Sequence, residues 1–331
     1  MHRPHPNAVF GTALLFAVAI ASSEVAAQSP APAYPTKPVR LTVPFPPGSS
    51  TDIISRILAQ KLTDVWRQQV VVENRAGGGG NIGVELVAKA LPNGYTLLIG
   101  HIGTHGVNPS LYAKLPYDPI GDFAPVTQTA SLPLALVVHG SLPAHTVAQL
   151  VALGRSKPGL VNYASGGNGS AAHLAVEYFK LLAKVDIVHV PYKGTGPALA
   201  DLVGGQVSLT ITGMPPLMPH LNSGRLRGLA VTTIDRVPEL PSLPTIAESG
   251  YPEYEINSWQ GLFAPRGTPG ALIARLNRDI ASALKSADVR ERFSVLGAQP
   301  VGNTPEQFAK HVKAEIAKWA RVVRDTHMTL D

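Results

Sequence analysis

The feature that most constrains this chain is a regular alternation of short β-type runs with amphipathic helical segments, joined by Gly- or Pro-rich turns. Residues 39–43 form a β-type run, and residues 52–66 carry Ile53, Ile54, Ile57, Leu58, Leu62 and Val65 at helical spacing. A strand at 70–73, a helix at 83–90 and a strand at 95–100 complete a βαβαβ order. That order predicts a parallel sheet with helices on both faces. A second cycle starts with the apolar run 134–138 and continues with helix 147–157, strand 161–164, helix 171–183, strand 187–190, helix 197–203 and strands 207–210 and 227–232. A strand at 259–264 and helices at 269–286 and 305–325 close the chain. A length of 331 residues suits two α/β domains better than one core. The late helices must pack on something, so the first domain is expected to be discontinuous: residues 39–130 plus 257–331, with 131–256 as the second. Crossings near Ala130 and Asn257 would then form a hinge, with a ligand cleft between the domains.

Composition narrows the function. There is no cysteine, which removes disulfides, thiolate metal sites and cysteine nucleophiles together. The formal charge is +6, but Lys and Arg lie singly and no basic run interleaves with aromatics, so no nucleic-acid partner is expected. A diffuse positive field favours encounter with small anions. Arg3 opens a short N-terminal region, residues 8–21 are a compact apolar stretch, and Ala27 ends a small-residue segment of signal-peptidase type. Residues 1–27 therefore read as a signal peptide and 28–38 as a Pro- and Ala-rich leader into the fold. The apolar stretch is too short to span a bilayer comfortably, and nothing later reaches roughly 18 apolar residues.

Two strand-to-helix loops carry the candidate chemistry. Residues 44–52 run Pro-Phe-Pro-Pro-Gly-Ser-Ser-Thr-Asp, and the helix start after them offers unpaired N–H groups to an anion. Residues 165–170, Ser-Gly-Gly-Asn-Gly-Ser, occupy the matching place in the second unit. Two such loops facing one cleft would hold a small acid at both. The binding candidates are Phe45, Pro47, Gly48, Ser49, Ser50, Thr51 and Asp52 in the first loop, and Ser165, Gly166, Asn168, Gly169, Ser170 and His173 in the second. His101 and Thr104, after the third strand, are expected to line the cleft, and Lys193 is a candidate cation for an acidic ligand. Pro197 is expected as the first residue of its helix.

Other patterns lead elsewhere. The Gly78–Gly83 and Gly167–Ala172 segments match the dinucleotide glycine pattern, yet neither following strand ends in the acidic residue that pattern requires, and neither continues as a P-loop. His101 and His105 have metal-pair spacing, but Gly100, Gly103, Gly106 and Pro109 predict a loop there. Ser170 and His173 stand three apart at one helix start, which leaves a periplasmic hydrolase as the alternative reading.

Residues 34–40 running into Val43-Pro44-Phe45-Pro46-Pro47-Gly48-Ser49-Ser50-Thr51-Asp52 form the most specific signature of a known family. Also similar are Glu73-Asn74-Arg75-Ala76-Gly77-Gly78-Gly79-Gly80-Asn81-Ile82-Gly83, Asn108-Pro109-Ser110-Leu111-Tyr112, Val190-Pro191-Tyr192-Lys193-Gly194 and Trp259-Gln260-Gly261-Leu262-Phe263-Ala264-Pro265. The chain resembles the Bordetella uptake gene (Bug) family, the substrate-binding receptors of tripartite tricarboxylate transporters. The resemblance implies an α/β, two-domain periplasmic binding protein of type II-like fold with the ligand cleft between domains. It further implies no cofactor, metal or catalysis, a monomer, a small organic acid as ligand, and the membrane subunits of a transporter, or a sensor kinase, as partner. In the family the two loops grip a carboxylate. Many members carry an acidic residue where this chain has Ile211-Thr212-Gly213-Met214, and Pro47-Gly48-Ser49 replaces the commoner Pro-Gly-Gly. Without that acidic residue a ligand amino group would lack a partner, which favours a plain or aromatic carboxylic acid over an amino acid.

Overall fold

A computed structural model describes residues 1–3 and 34–326. The expected signal peptide beyond residue 3 and the first part of the leader lie outside the described residues. From Pro35 onward the chain is one unit. Strand β1 (Val39–Val43) leads into α1 (Ser50–Trp66), β2 (Val70–Asn74), α2 (Asn81–Ala88) and β3 (Thr96–His101). A π-helical turn (Ile102–Val107) and α3 (Asn108–Leu111) follow, then β4 (Phe123–Ser131). The second half-cycle comprises β5 (Leu134–His139), α4 (Val147–Ser156), β6 (Asn162–Ser165), α5 (Ala171–Ala183), β7 (Val188–Pro191), α6 (Thr195–Val203), β8 (Leu209–Gly213), α7 (Met218–Asn222) and β9 (Leu226–Val231). The chain ends with β10 (Gln260–Pro265), α8 (Gly270–Lys285), α9 (Ala287–Val295), β11 (Gln299–Pro300) and α10 (Pro305–Thr326).

The strands form two sheets, ordered β11-β4-β10-β3-β1-β2 and β7-β6-β8-β5-β9. In the first, β1 is parallel to both β2 and β3, so the β1–α1 loop and the segment after β3 emerge at the same carboxyl edge. In the second, β6 is parallel to β7 and β8, which sets the β6–α5 loop at the corresponding edge. The chain passes from the first sheet to the second at Leu132–Pro133 and returns before β10. The two passages lie side by side: Pro133 bridges Asn257, and Ser258 N–H donates to the Leu132 carbonyl at 3.0 Å. One apolar cluster draws on both sheets, with Leu98, Phe263 and Phe308 from the first side and Leu136, Tyr163 and Phe179 from the second. Full burial of each such side chain contributes roughly 1.5–3 kcal/mol. Helix α10 adds Glu315, whose carboxylate accepts from the indoles of Trp259 and Trp319 at 3.0 and 3.1 Å.

The structure differs from the sequence expectations in several places: the short α3, α7 and β11 were not expected, the strand expected at 207–210 is Leu209–Gly213, and four further differences have clear physical reasons. The segment after β3 is a π-helical turn, not a loop. Its glycines serve packing: a Cβ on Gly100 would sit 2.5 Å from the Phe263 ring, and one on Gly106 3.3 Å from Trp319. They let His105 stack on Phe263 with centroids 4.1 Å apart. Strand β4 was not expected, because Pro125 interrupts its pattern and Thr127, Gln128 and Thr129 are buried polar residues. A register shift in the β4–β10 ladder beside Pro125 lets the sheet absorb a residue without an N–H. Helix α9 also went unread, since only Val289 and Phe293 of its nine residues are buried. Pro197 is the third residue of α6, which starts at Thr195 after Gly194.

Candidate functional site

The β1–α1 loop is a tight turn followed at once by a helix cap. Ser49 N–H donates to the Pro46 carbonyl at 3.2 Å, with Gly48 at φ 80°. That is the type II arrangement, which favours Pro at its second position and needs Gly at its third. Ser49 then caps α1, its Oγ accepting from Asp52 N–H at 3.2 Å. The Asp52 carboxylate reaches back to accept from Gly48 N–H at 2.9 Å. It also accepts from Asn74 Nδ2 at 2.9 Å and Arg56 Nε at 3.1 Å. Asp52 is only 3% exposed. Burial alone would raise its pKa, but the Arg56 guanidinium, the Gly48 N–H and the Asn74 amide outweigh it and hold the carboxyl below its usual 3.8. Gly48 N–H is therefore committed within the protein. The unpaired donors are the N–H groups of Ser50 and Thr51, in the first turn of α1.

The β6–α5 loop repeats this construction. Ser170 N–H donates to the Gly167 carbonyl at 3.1 Å, and Gly169 has φ 75°. Ser170 caps α5 with backbone angles of −66° and 157°, against −66° and 156° at Ser49. Its Oγ accepts from His173 N–H at 3.3 Å, and His173 Nδ1 accepts from Gly169 N–H at 3.1 Å. His173 thus stands where Asp52 stands in the first loop. Since Nδ1 accepts, the ring proton is on Nε2. Burial, with His189 and Lys180 adding to it, draws His173 down to about 3, so the ring is neutral near pH 7. His173 stacks on His189 at 4.3 Å, and His189 stacks on Tyr163 at 4.6 Å. Ser165 is 1% exposed and braces the loop, its Oγ meeting His189 Nε2 at 2.6 Å and accepting from Gly167 N–H at 3.1 Å.

This geometry does not make a Ser–His catalytic pair. Ser170 Oγ is bound to the backbone N–H of His173, and the imidazole nitrogen on that side is taken by Gly169. The hydrolase reading would need an Oγ-to-ring hydrogen bond.

A third group gathers after β3. The Phe45 and His101 rings meet edge-on at 5.0 Å. His101 N–H donates to Thr104 Oγ1 at 3.1 Å, and His101 Nδ1 accepts from Gly103 N–H at 2.9 Å. Thr104 is fully buried, so its hydroxyl fixes His101 and does not face solvent. Burial pulls His101 down to about 4. Gly166 lies against Gly194 and Thr195, which brings the second loop beside the segment carrying Lys193. Lys193 itself is exposed and has no ion-pair or hydrogen-bond partner among the described residues.

The structure thus gathers the sequence candidates into three groups: Pro47–Asp52, Phe45 with His101 and Thr104, and Ser165–His173 beside Lys193. Sequence reasoning missed Asn74, Arg56, His189 and Ser258. Asn74 had a signal, since it ends the strand next to β1 and so reaches the same carboxyl edge. Surface hollows of about 390 to 470 Å³ lie elsewhere, for example around Leu221, Leu240 and Leu243, and none is lined by either turn. Among the described residues no three His, Asp or Glu side chains are placed to hold a metal ion, and no helix is long and apolar enough to cross a membrane.

Two α/β domains joined by paired crossings, each presenting a capped turn at a carboxyl edge, define the class: the architecture of a periplasmic solute-binding protein. The chain matches the model of the tripartite tricarboxylate transporter family receptor, TctC, over residues 54–328, and it belongs to that family. Protein BugT of Bordetella pertussis is 43% identical over 308 residues, covering 93% of this chain and 94% of that protein. Among solved structures, Rpa4515 of R. palustris with adipate has a TM-score of 0.80 at 42% identity, covering 89% of this chain and 99% of that one. MatC of Rhodopseudomonas palustris with bound malate has a TM-score of 0.76 at 36% identity, covering 88% and 100%. The family is the one the sequence resemblance implied.

Proposed function

We propose that this protein is a periplasmic receptor that captures a small organic acid between its two domains and hands it to the membrane subunits of a tripartite transporter. The observation that carries this reading is the duplicated turn. One Gly-Ser cap with matching dihedrals stands at the carboxyl edge of each sheet, each leaving two first-turn N–H groups unpaired. Unpaired N–H groups at a helix start favour an anion, contributing up to about 2 kcal/mol when partly buried. The structures of family members with adipate and malate support a carboxylate as the ligand class.

In this reading the first domain is residues 39–130 with 257–331, the second is 131–256, and the adjacent crossings at Pro133 and Asn257 are the hinge. Pro47, Gly48, Ser49, Ser50 and Thr51 meet the ligand from one side, and Gly166, Asn168, Gly169 and Ser170 from the other. Phe45, His101 and Lys193 line the remaining wall. The buried Asp52, Thr104, Ser165 and His173 hold those groups in place. The receptor acts as a monomer, is exported by a signal peptide cleaved near Ala27, and leaves the ligand chemically unchanged.

Thermal-shift screening of the mature chain against mono-, di- and aromatic carboxylates tests this. A ligand at about 100 times its dissociation constant adds about 2.7 kcal/mol of stability, which raises the melting temperature measurably. No shift with any acid of the panel would overturn the reading, and so would recovery of a hydrolysed product.

A further inference from the structure

Resting on that receptor reading, we propose that Leu111 is the stop on which the second turn rests when the cleft closes, and that it thereby sets the length of acid the receptor accepts. Gly169, the positive-φ glycine of the second turn, carries no side chain. A Cβ built there would lie 3.6 Å from Leu111 Cδ2, and among the described residues no other group beyond its chain neighbours comes within 4 Å of that point. Leu111 ends α3 in the first domain, so this contact joins the two domains at the turn itself. Gly48, the counterpart in the first turn, has nothing within 4 Å of the same position. Space is therefore open in front of the first turn, while the second is met by one branched apolar end from the opposite domain.

A stop must be rigidly mounted, and α3 is. Asn108, only 5% exposed, donates through Nδ2 to the Gly79 carbonyl at 3.2 Å and to Asn81 Oδ1 at 2.8 Å. The Tyr117 hydroxyl meets the same Asn81 Oδ1 at 3.1 Å and the Thr104 carbonyl at 2.7 Å. The start of α2, the π-helical turn and α3 are thus tied together at the carboxyl edge of the first sheet. Leu111 itself is half-buried: it packs on the apolar core and also reaches Gly169.

A methyl group on Gly169 would already be in ordinary contact with Leu111, so little room is left between them. Packed groups of this kind do not deform smoothly. A larger side chain at position 111 wedges the second turn away from the first, and a smaller one lets it approach. Each turn offers its unpaired N–H groups to one end of an acid, so the spacing between the turns selects chain length. A contact at Gly297 plays a different part. A Cβ there would lie 3.3 Å from Met214 Cε and 3.5 Å from Pro215 Cδ, but Gly297 shortly precedes β11, which pairs with Ser131 at the outgoing crossing. That contact lies beside the segments about which the domains move, whereas Leu111 meets the turn that takes the ligand.

Calorimetry at pH 7 on the mature receptor tests this with the unbranched dicarboxylates succinate, glutarate, adipate and pimelate. Leu111→Phe is expected to raise the affinity ratio of adipate to succinate about tenfold, and Leu111→Ala to lower it by a similar factor, the scale of one methylene in a fitted site. A merely structural role for Leu111 would weaken all four acids alike. An unchanged ratio in the variants that fold, or a shift of the same sign in both, would overturn the proposal while leaving the receptor reading standing. Failure of both variants to fold would make Leu111 a core residue and overturn the proposal too. Where the wild type binds an acid of the wider panel but none of these four, spin-label distances decide. The chain has no cysteine, so Gln60→Cys on α1 and Ala152→Cys on α4, both at exposed positions, place one label on each domain. Saturation with that acid is expected to bring the labels closer in the wild-type background and to leave them farther apart with Leu111→Phe added. Equal distances in the two would overturn the proposal. Absence of binding to every acid of the panel would overturn the receptor reading itself.

Discussion

The turn at residues 46–52 and the turn at residues 167–173 share a hydrogen-bond pattern but differ in the charge at their third helical position. In both, the positive-φ glycine donates to the side chain of that residue, and the Ser cap accepts from its N–H. In the first that side chain is the anion Asp52, and in the second the neutral imidazole of His173. The surroundings explain the difference. Four residues on from Asp52 stands Arg56, whose guanidinium binds the carboxylate, and Asn74 adds an amide. Four residues on from His173 stands Glu177, already bound to Tyr163 and Lys180, and a carboxylate at 173 would face it with like charge. The same backbone device therefore needs a different acceptor in each domain. The comparison teaches that a backbone anion seat can be kept constant while its support is matched to the local charge.

The sharpest way to break this comparison is His173→Asp. If matching matters, the variant buries a carboxylate without a counterpart of Arg56 and loses about 3–5 kcal/mol of stability in urea unfolding at pH 7. Asp52→His, by contrast, is expected to lose less, because a neutral ring creates no unpaired buried charge. Equal losses would remove the electrostatic explanation.

The next largest effect concerns binding. Gly48→Pro and Gly169→Pro each remove an N–H and force φ from about +80° to about −65°. Each is expected to weaken carboxylate binding about a hundredfold or more by calorimetry, roughly 2.7 kcal/mol. Gly48→Pro should also be the more destabilising of the two, since it strips a donor from an anion and not from a neutral ring. Normal affinity in both would sink the two-turn site.

Acid sharpens the comparison further. The folded pKa of His173, about 3, lies below its ordinary 6.5, so the unfolded chain takes up the proton first. The stability this residue contributes is fully present above about pH 6.5 and is lost as pH falls toward 3. Asp52 is also depressed, from 3.8, so its contribution is present above 3.8 and is lost only as pH falls below that. Between pH 6.5 and 4 the second turn should weaken while the first holds. Amide exchange at Gly169 should therefore accelerate on acidification from pH 7 to 5, after correction for intrinsic rate, while Gly48 stays protected. His101 and His105, drawn down to about 4 and about 3 by burial, add to the overall loss of stability over the same range. A flat pH dependence in His173→Asn together with a sloping wild type would assign part of that loss to His173.

The smallest effect is expected at Lys193, which is exposed and lacks a partner among the described residues. Lys193→Ala should change stability by less than about 0.5 kcal/mol. It should change binding by less than about threefold in 0.15 M salt, where an exposed charge is largely screened. A tenfold loss would make Lys193 a direct ionic contact to the ligand and not only part of the wall.

Much of the fold was legible because its elements carry their own signals. Helix α5 was expected at residues 171–183 and stands there, since Ala172, Leu174, Ala175, Val176, Phe179 and Ala183 put one apolar face on the core. Strand β4 was hidden because a central strand with Pro125 and three buried polar residues lacks both alternation and an apolar run. The π-helical turn was hidden because its glycines look like breakers, whereas they make room for rings from distant strands. At the candidate site, both turns were legible from Pro, Gly and Ser at fixed offsets. The partners of Asp52 and His173, from β2 and β7, were not.

By itself, the sequence determined the alternation of strands and helices, the two Gly-Ser caps and the family, because each rests on interactions between residues close in the chain or on motifs kept in order. The tertiary structure decided which donors remain unpaired. Gly48 N–H is consumed by Asp52, His101 is locked with its proton on Nε2, and Ser258 is brought to it across 157 positions of sequence. A hydrogen-bond donor is available to a ligand only after every neighbour in space has taken its share, and spatial neighbours are set by packing, not by spacing.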